Sequence, residues 1–330
     1  MTAPNSRFPA NGSGGAGHRR PGRNGAGLNG AGRNGAGRNG ADRNGADQGR
    51  AGRDGAGLDV PGQDGDMLWG AEDPGRTASG PLTGPGQAGR SAAGPSALRL
   101  VWIYPDLLST YGDRGNLIML ARRARLRGID VEPIQVNSDQ PVPQQGDIYL
   151  LGGGEDLPQV LAAQRLRAAG GLQAAIGNGA VVFAVCAGYQ LIGSVFGGAQ
   201  GEPVDGLGIL DISSGRGDRR GVGEVLADVD PRLGVDRLTG FENHQGVTRL
   251  GPGAQPLARV TLGVGNGDGT EGAYAGRILG TYLHGPALVR NPGLADLLLS
   301  WAAGPLPALP DADETWTRRL RAERLAAVAA

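Results

Sequence analysis

Val181-Val182-Phe183-Ala184-Val185-Cys186-Ala187-Gly188-Tyr189-Gln190-Leu191-Ile192 is the stretch on which the fold turns. An unbroken apolar, β-branched run reads as a strand buried on both faces. Small residues flank Cys186, Ala184 on one side and Gly188 on the other. They suit a tight strand–turn–helix that projects the cysteine out of the sheet, the geometry of a nucleophile elbow. A thiol at a helix N-terminus feels partial positive charge, which predicts a lowered pKa and a thiolate. The N–H of Ala187 would point to where an oxyanion forms. The alternative is an inert thiol, since free cysteine often serves as a small core residue.

Outward from this stretch, strands and helices alternate. Leu98–Tyr104 is an apolar run bounded by Pro105 and reads as a strand. Leu117, Leu120, Ala121 and Ala124 recur at helical spacing, and Gly128 ends the helix. Residues 130–136 and 147–151 are further strands, the latter running into Gly152-Gly153-Gly154, and a helix follows from about Pro158. This order implies parallel βαβ units, hence an open α/β sheet. Downstream, 222–229, 237–241, 257–261, 272–274 and 277–283 read as strands. Residues 294–301 and 313–329 read as helices, the last with acids at its start and arginines after them.

The chain divides by composition. Residues 1–97 hold a five-residue repeat, Asn-Gly-Ala-Gly/Asp-X over 24–48, and almost no large apolar side chains. They are expected to form a low-complexity, disordered tail, because they cannot offset their ordering entropy. Residues 98–303 are expected to form the α/β domain, and 304–330 a linker and helix. The 330 residues carry 32 basic against 32 acidic side chains, and every basic residue is arginine. A formal charge of zero argues against nucleic-acid and anionic-membrane binders. One cysteine excludes an intrachain disulfide framework and suggests a reducing, cytoplasmic setting. No apolar run approaches the roughly 18–20 residues of a membrane span, and the N-terminus shows no apolar secretory region.

A thiol nucleophile needs a proton partner, usually histidine. Of the three histidines His18 lies in the tail, leaving His284 and His244. His284 follows the run Ile278–Leu283 at a strand's carboxyl end, where sites of open α/β sheets cluster, so it is the favoured base. His244, in Gly240-Phe241-Glu242-Asn243-His244, sits in an apparent polar loop and suits a substrate contact. The glycines 152–154 allow close backbone approach, and Gly153 or Gly154 can supply a second oxyanion donor; an ordinary turn is the alternative. Tyr104-Pro105-Asp106 and Tyr111–Asn116 form a polar loop on the same sheet edge, with a substrate-side role or helix capping by Asp113 both open. One cysteine and two usable histidines lack zinc-site spacing, so no metal is expected.

Cys186 in its elbow, the glycine loop and the late histidine resemble the class I glutamine amidotransferases, which implies a three-layer, mostly parallel α/β sheet. The Cys-Ala-Gly-Tyr-Gln form and His284-Gly285-Pro286 resemble the cobyric-acid-synthase-like branch. Within it, Tyr111–Asn116, Leu151–Asp156, Gly240–His244 and Tyr282–Pro286 are similar to the GatD family of glutaminase subunits. Those work with a Mur-ligase-like MurT subunit in lipid II isoglutaminyl synthase, in peptidoglycan synthesis. The resemblance covers about 98–303. Cobyric-acid-type enzymes carry a P-loop synthetase domain where this chain has its repeat tail, so a stand-alone subunit is expected.

The resemblance implies attack by Cys186 on the glutamine side-chain amide. His284 acts as base and acid, and Ala187 with Gly153 or Gly154 holds the oxyanion. Arg220, in preference to Arg219, would grip the α-carboxylate by a bidentate pair, and Tyr189, Gln190, Asn243 and His244 would complete the glutamine site. No cofactor is expected in this subunit, with ATP and Mg on the partner ligase, which also holds the lipid II acceptor. The family's usual third triad member, two residues after the histidine, is Pro286 here. A dyad, or an acid from elsewhere or from the partner, must therefore orient His284. Rival readings are a cobyric-acid-type amidase with another acceptor, a cysteine hydrolase on the same fold, and a non-catalytic binding module.

Overall fold

The computed structural model describes residues 97–329. The expected tail, apart from Ala97, lies outside them. The chain runs through β1 (Leu98–Ile103), α1 (Arg114–Arg125), β2 (Val131–Val136), β3 (Ile148–Leu151), α2 (Asp156–Ala169), α3 (Gly171–Gly177), β4 (Val181–Val185) and α4 (Ala187–Leu191). It continues through β5 (Val195–Gly197), β6 (Pro203–Asp205), β7 (Ile212–Val229), β8 (Leu238–Leu250), β9 (Gln255–Leu262), β10 (Thr270–Ala275) and β11 (Ile278–Thr281). It ends with α5 (Ala287–Arg290), α6 (Pro292–Ala303) and α7 (Asp311–Ala329).

Ten strands of the sheet run in the order β2-β1-β3-β4-β11-β10-β9-β7-β5-β6, with β8 paired to β7. From β2 to β11 every pairing is parallel. Every residue of β3 and β4 is buried, as central parallel strands covered on both faces require. Helix α1 turns Leu117, Leu120, Ala121 and Ala124 inward, keeps arginines in its last turn, and is followed by Gly128 at φ +73°. It packs with α5 and α6, whereas α2 contacts α3 and α4.

The chain leaves β1 for β2 on one side and returns to β3 on the other. That reversal opens a crevice at the carboxyl ends of the strands. The ends of β1, β3, β4 and β11 all point to it.

The second half holds more strand than its sequence suggests. β7 starts at Ile212, ten residues before the expected Val222. Residues 213–220 are rich in glycine and charge and lack strand alternation, and the pairing of Ser213–Arg216 with β8, and of Ser213 with β5, is what makes the start of this stretch strand. The register slips from Arg216–Gly246 to Gly221–His244, so residues 217–220 of β7 face the single residue Gln245. Such a bulge bends the strand and re-aims its side chains.

Helix α7 is fastened by ion pairs rather than by an apolar face. The buried Arg123 guanidinium donates to both carboxylate oxygens of Asp296 at 2.6 Å and to Glu314 of α7 at 2.8 Å. Arg324 of α7 pairs with Glu224 of β7.

Candidate active site

Cys186 follows β4 directly and has φ +51° and ψ −105°. A non-glycine residue there is strained and is held only by its surroundings. The holding bonds are on both sides: Cys186 N–H donates to the Thr281 carbonyl (2.8 Å), and Gly188 N–H to that of Gly152 (3.0 Å). The sulfur-bearing side chain lines a polar pocket with Gly154, Gln190, Arg220, Asn243, His244 and His284.

The thiol is not the ready thiolate that its place before a helix suggests. Burial pushes it up to about 12, and the nearby Asp113 carboxylate adds to the rise; the Ala187 N–H and the Arg220 guanidinium act the other way but do not overcome them. Helix α4 is five residues long, so its partial charge is small. Alkylation by iodoacetamide should accordingly be slow at pH 7 and rise about tenfold per pH unit up to pH 10. A rate already level by pH 7 would overturn this picture of the resting site.

His284 lies three residues beyond the end of β11. Register between β4 and β11 pairs Val185 with Thr281, so thiol and imidazole leave neighbouring parallel strands at one sheet edge. A two-way backbone pair with Phe241 pins His284 (2.7 and 3.2 Å). The ring is fully buried, and neither nitrogen has a hydrogen-bond partner. A methyl at Gly153 would fall 2.7 Å from the His284 ring, 3.4 Å from Asp113 Oδ2 and 3.6 Å from Cys186 Cβ. The carboxylate, the imidazole and Cys186 Cβ therefore crowd one point, and only glycine leaves room for them.

The carboxylate beside the imidazole is that of Asp113, from the loop after β1. It is 3% exposed. Its Oδ2 accepts the Gly153 N–H at 2.5 Å, and its Oδ1, otherwise without a partner, stands 3.9 Å from His284 Nδ1. Two contacts bring this loop to the histidine segment. A Cβ on Gly115 would lie 2.2 Å from Pro286 Cγ, so the missing side chain lets α1 sit against Pro286. Asn116 Oδ1 accepts the N–H of Leu288 (2.9 Å). Pro286, which removes the expected acid from the sequence, thus docks the segment carrying another one. The sequence signal was the polar loop at the correct sheet edge; helix capping was the misleading alternative, and Asp113 makes no side-chain cap.

The other expected site residues divide. Arg220 projects from the β7 bulge into the pocket, whereas Arg219 does not line it. Its Nε donates to Asn243 Oδ1 (2.6 Å), and Asn243 Nδ2 donates to the Tyr111 hydroxyl (2.5 Å). Gln190 lines the pocket between Gln159 (3.0 Å) and the Tyr282 hydroxyl (3.1 Å).

Three expectations need correction. Gly153 cannot serve as an oxyanion donor here, because its N–H is committed to Asp113. Tyr189 is fully buried, bonds Asn266 (3.2 Å) and packs edge-on against Tyr282, away from the pocket lining. His244 belongs to β8 rather than to a loop. Its ring stacks on Tyr282 at 3.8 Å, and both nitrogens face acceptors, the Gly246 carbonyl (3.0 Å) and Glu242 (3.3 Å). Both nitrogens being engaged, His244 is unsuited to take a proton from the thiol. Burial works to raise Glu242, but hydrogen bonds from His244, Gly265 and Val264 outweigh it and hold the carboxyl below its usual range.

A second buried acid braces the site. Glu271 Oε1 accepts from the Thr281 hydroxyl (2.5 Å) and the Tyr282 N–H (2.9 Å). Burial raises its pKa. It steadies the end of β11, whose Thr281 carbonyl holds Cys186. Nothing in its sequence context, Gly269-Thr270-Glu271-Gly272, marked it.

Among the described residues no group of three or more His, Cys, Asp or Glu could hold a metal ion, and no helix is long and apolar enough to cross a membrane.

A cysteine with strained backbone at a strand–helix elbow, a buried imidazole just beyond the adjacent strand and a carboxylate behind it define a cysteine-dependent hydrolytic site. The CobB/CobQ-like glutamine amidotransferase domain matches residues 99–292, and the chain belongs to that family. It is 37% identical over 201 residues to the lipid II isoglutaminyl synthase (glutamine-hydrolyzing) subunit GatD of Staphylococcus aureus, covering 60% of this chain and 81% of that protein. The subunit of the same name from Streptococcus pneumoniae is 34% identical, with 63% and 81% covered. A cobyric acid synthase of Sphingopyxis alaskensis is 33% identical, but the match spans 52% of this chain and only 34% of that protein.

Proposed function

We propose that this chain is the glutamine-hydrolysing subunit of a lipid II isoglutaminyl synthase. It supplies ammonia to a MurT-like ligase that amidates the D-glutamate of lipid II in peptidoglycan synthesis. The observation that carries the chemistry is the convergence of Cys186, His284 and Asp113 around Gly153. Coverage of four fifths of two GatD subunits, against a third of a cobyric acid synthase, favours this acceptor over a cobyric-acid-type one.

In this reading Arg220, oriented through Nε by Asn243, leaves its terminal nitrogens for the glutamine α-carboxylate. The neutral Cys186 thiol passes its proton to His284 as sulfur bonds to the side-chain amide carbon. The resulting oxyanion is held by the N–H of Ala187 and of Gly154. His284 returns the proton to the leaving nitrogen, the C–N bond breaks and ammonia departs. Water, losing a proton to His284, then cleaves the thioester, and glutamate leaves with the thiol restored. The balance is glutamine plus water to glutamate plus ammonia. Asp113 steadies the imidazolium in both halves. ATP and Mg act on the partner, which activates the carboxylate, and the complex works at the cytoplasmic face of the membrane where lipid II is built.

The test uses the full chain purified with its ligase partner, glutamine labelled with 15N in the side-chain amide, ATP, Mg and lipid II. Labelled amide in the stem peptide is the expected result. Labelled ammonia without lipid II amidation would overturn the acceptor while keeping the glutaminase. No glutamine turnover at all would overturn both.

A further inference from the structure

Tyr111 stands where the strap between β1 and α1 crosses the pocket, and no step above uses it. Its backbone is at φ +60°, a region that a bulky residue holds only under constraint. The constraints are visible. Thr110 N–H donates to the Gly153 carbonyl at 3.1 Å. The Tyr111 hydroxyl accepts from Asn243 Nδ2 at 2.5 Å, across the pocket on β8. The ring meets the His284 imidazole edge-on, with centroids 4.9 Å apart and planes at 68°. Its side chain nevertheless remains substantially open to solvent, with the residue 44% exposed, as a residue at a pocket mouth would be.

Two features make this more than packing. The imidazole it touches has no hydrogen bond to either nitrogen, so ring packing, the Tyr111 edge included, holds its orientation, with the Asp113 oxygen 3.9 Å away. The hydroxyl closes a chain from Arg220 Nε through the Asn243 side chain to Tyr111, and its ring continues that chain to His284. The group that would grip the substrate carboxylate and the group that would move the proton thus share one positioning element.

We propose that Tyr111 is a latch and positioning residue for glutamine hydrolysis. Its ring orients His284, and its hydroxyl fastens the 110–113 strap to Asn243 and so holds the Arg220 fork toward the substrate. The two halves of the side chain then have separable effects: the hydroxyl acts on substrate binding and the ring on the proton-transfer step. This rests on the glutaminase reading above.

Steady-state glutamine hydrolysis by the full chain in complex with its partner separates them. Tyr111→Phe keeps the ring and loses the latch, so KM should rise about fivefold with kcat within about twofold, the size expected for one net hydrogen bond. Tyr111→Ala should lower kcat a further tenfold or more, and the ring in Tyr111→Phe restores it. A Tyr111→Phe variant with unchanged KM, or a Tyr111→Ala variant with unchanged kcat, overturns the proposal while the wild-type protein still turns over glutamine. Loss of hydrolysis in the wild type overturns the underlying reading instead. Equal thermal midpoints for the two variants show that the split is not a folding defect; an alanine variant that melts lower is replaced by Tyr111→Leu, which is expected to lose kcat in the same way.

Discussion

Cys186→Ala is expected to abolish glutamine hydrolysis, lowering kcat by at least about 10⁴-fold, because it removes the chain's single thiol from the pocket that His284 lines. The effect on folding should be small. Alanine keeps the Cβ, the hydrogen bond from residue 186 to Thr281 and the strained backbone; it loses one buried sulfur. With free ammonia at high concentration, the complex carrying Cys186→Ala should still amidate its acceptor, since the ligase step does not involve the thiol. Retained glutamine-dependent amidation in this variant would remove the thiol from the mechanism. Steady-state glutamine hydrolysis and ammonia-driven amidation, measured side by side, decide the matter.

The second large effect is expected from Asp113→Asn. The amide oxygen can still accept the Gly153 N–H, so the glycine loop keeps its shape. The amide nitrogen then faces His284 Nδ1 in place of a carboxylate oxygen. A donor there favours the tautomer protonated on the other ring nitrogen, which is the one needed to accept the thiol proton. A fall in kcat of about 10²–10⁴-fold follows, with KM little changed. The 3.9 Å separation is longer than a hydrogen bond and is expected to shorten once substrate closes the site. A kcat within about fivefold of wild type would show that Asp113 is not the acid that orients His284. Asp113→Ala should be no more active, and it also leaves the Gly153 N–H buried without an acceptor, so a lower thermal midpoint is expected for Ala than for Asn.

The neutral thiol links these two results. Asp113 works against ionisation of Cys186, as does burial. A free thiolate is therefore not the resting state, and the proton must move within the triad as the S–C bond forms. Removing Asp113 relieves one cause of the raised thiol, so its alkylation in Asp113→Asn should be faster at pH 8 even as turnover falls. Opposite signs in the two assays would separate reactivity of the sulfur from catalysis by the triad.

Local pattern carried the parallel half of the fold. β1, β3 and β4 are continuous apolar runs, and α1 shows its buried residues at helical spacing, because each segment buries its own faces against the sheet. The elbow at Cys186 was legible for the same reason: a tight turn restricts the size of the residues beside it. His284 was legible because a strand's carboxyl end is a place that topology predicts. In the antiparallel half the same reading missed β5, β6 and the first ten residues of β7, where glycine and charge hide strands that exist only through their neighbours.

What the chain order by itself determined is the placement of Cys186 and His284 and the sheet edge where they meet, since all three follow from short-range patterns of size and polarity. What only the tertiary structure decided is the acid behind the base, the commitment of Gly153 to it, the burial that protonates the thiol, and the Tyr111 bridge. Each of these depends on residues forty or more positions apart, or on exclusion of water by the assembled fold, and neither quantity is written in any local stretch of sequence. Asp113 reaches His284 because Gly115 lets a helix rest on Pro286, a contact between segments some 170 residues apart that close packing alone creates.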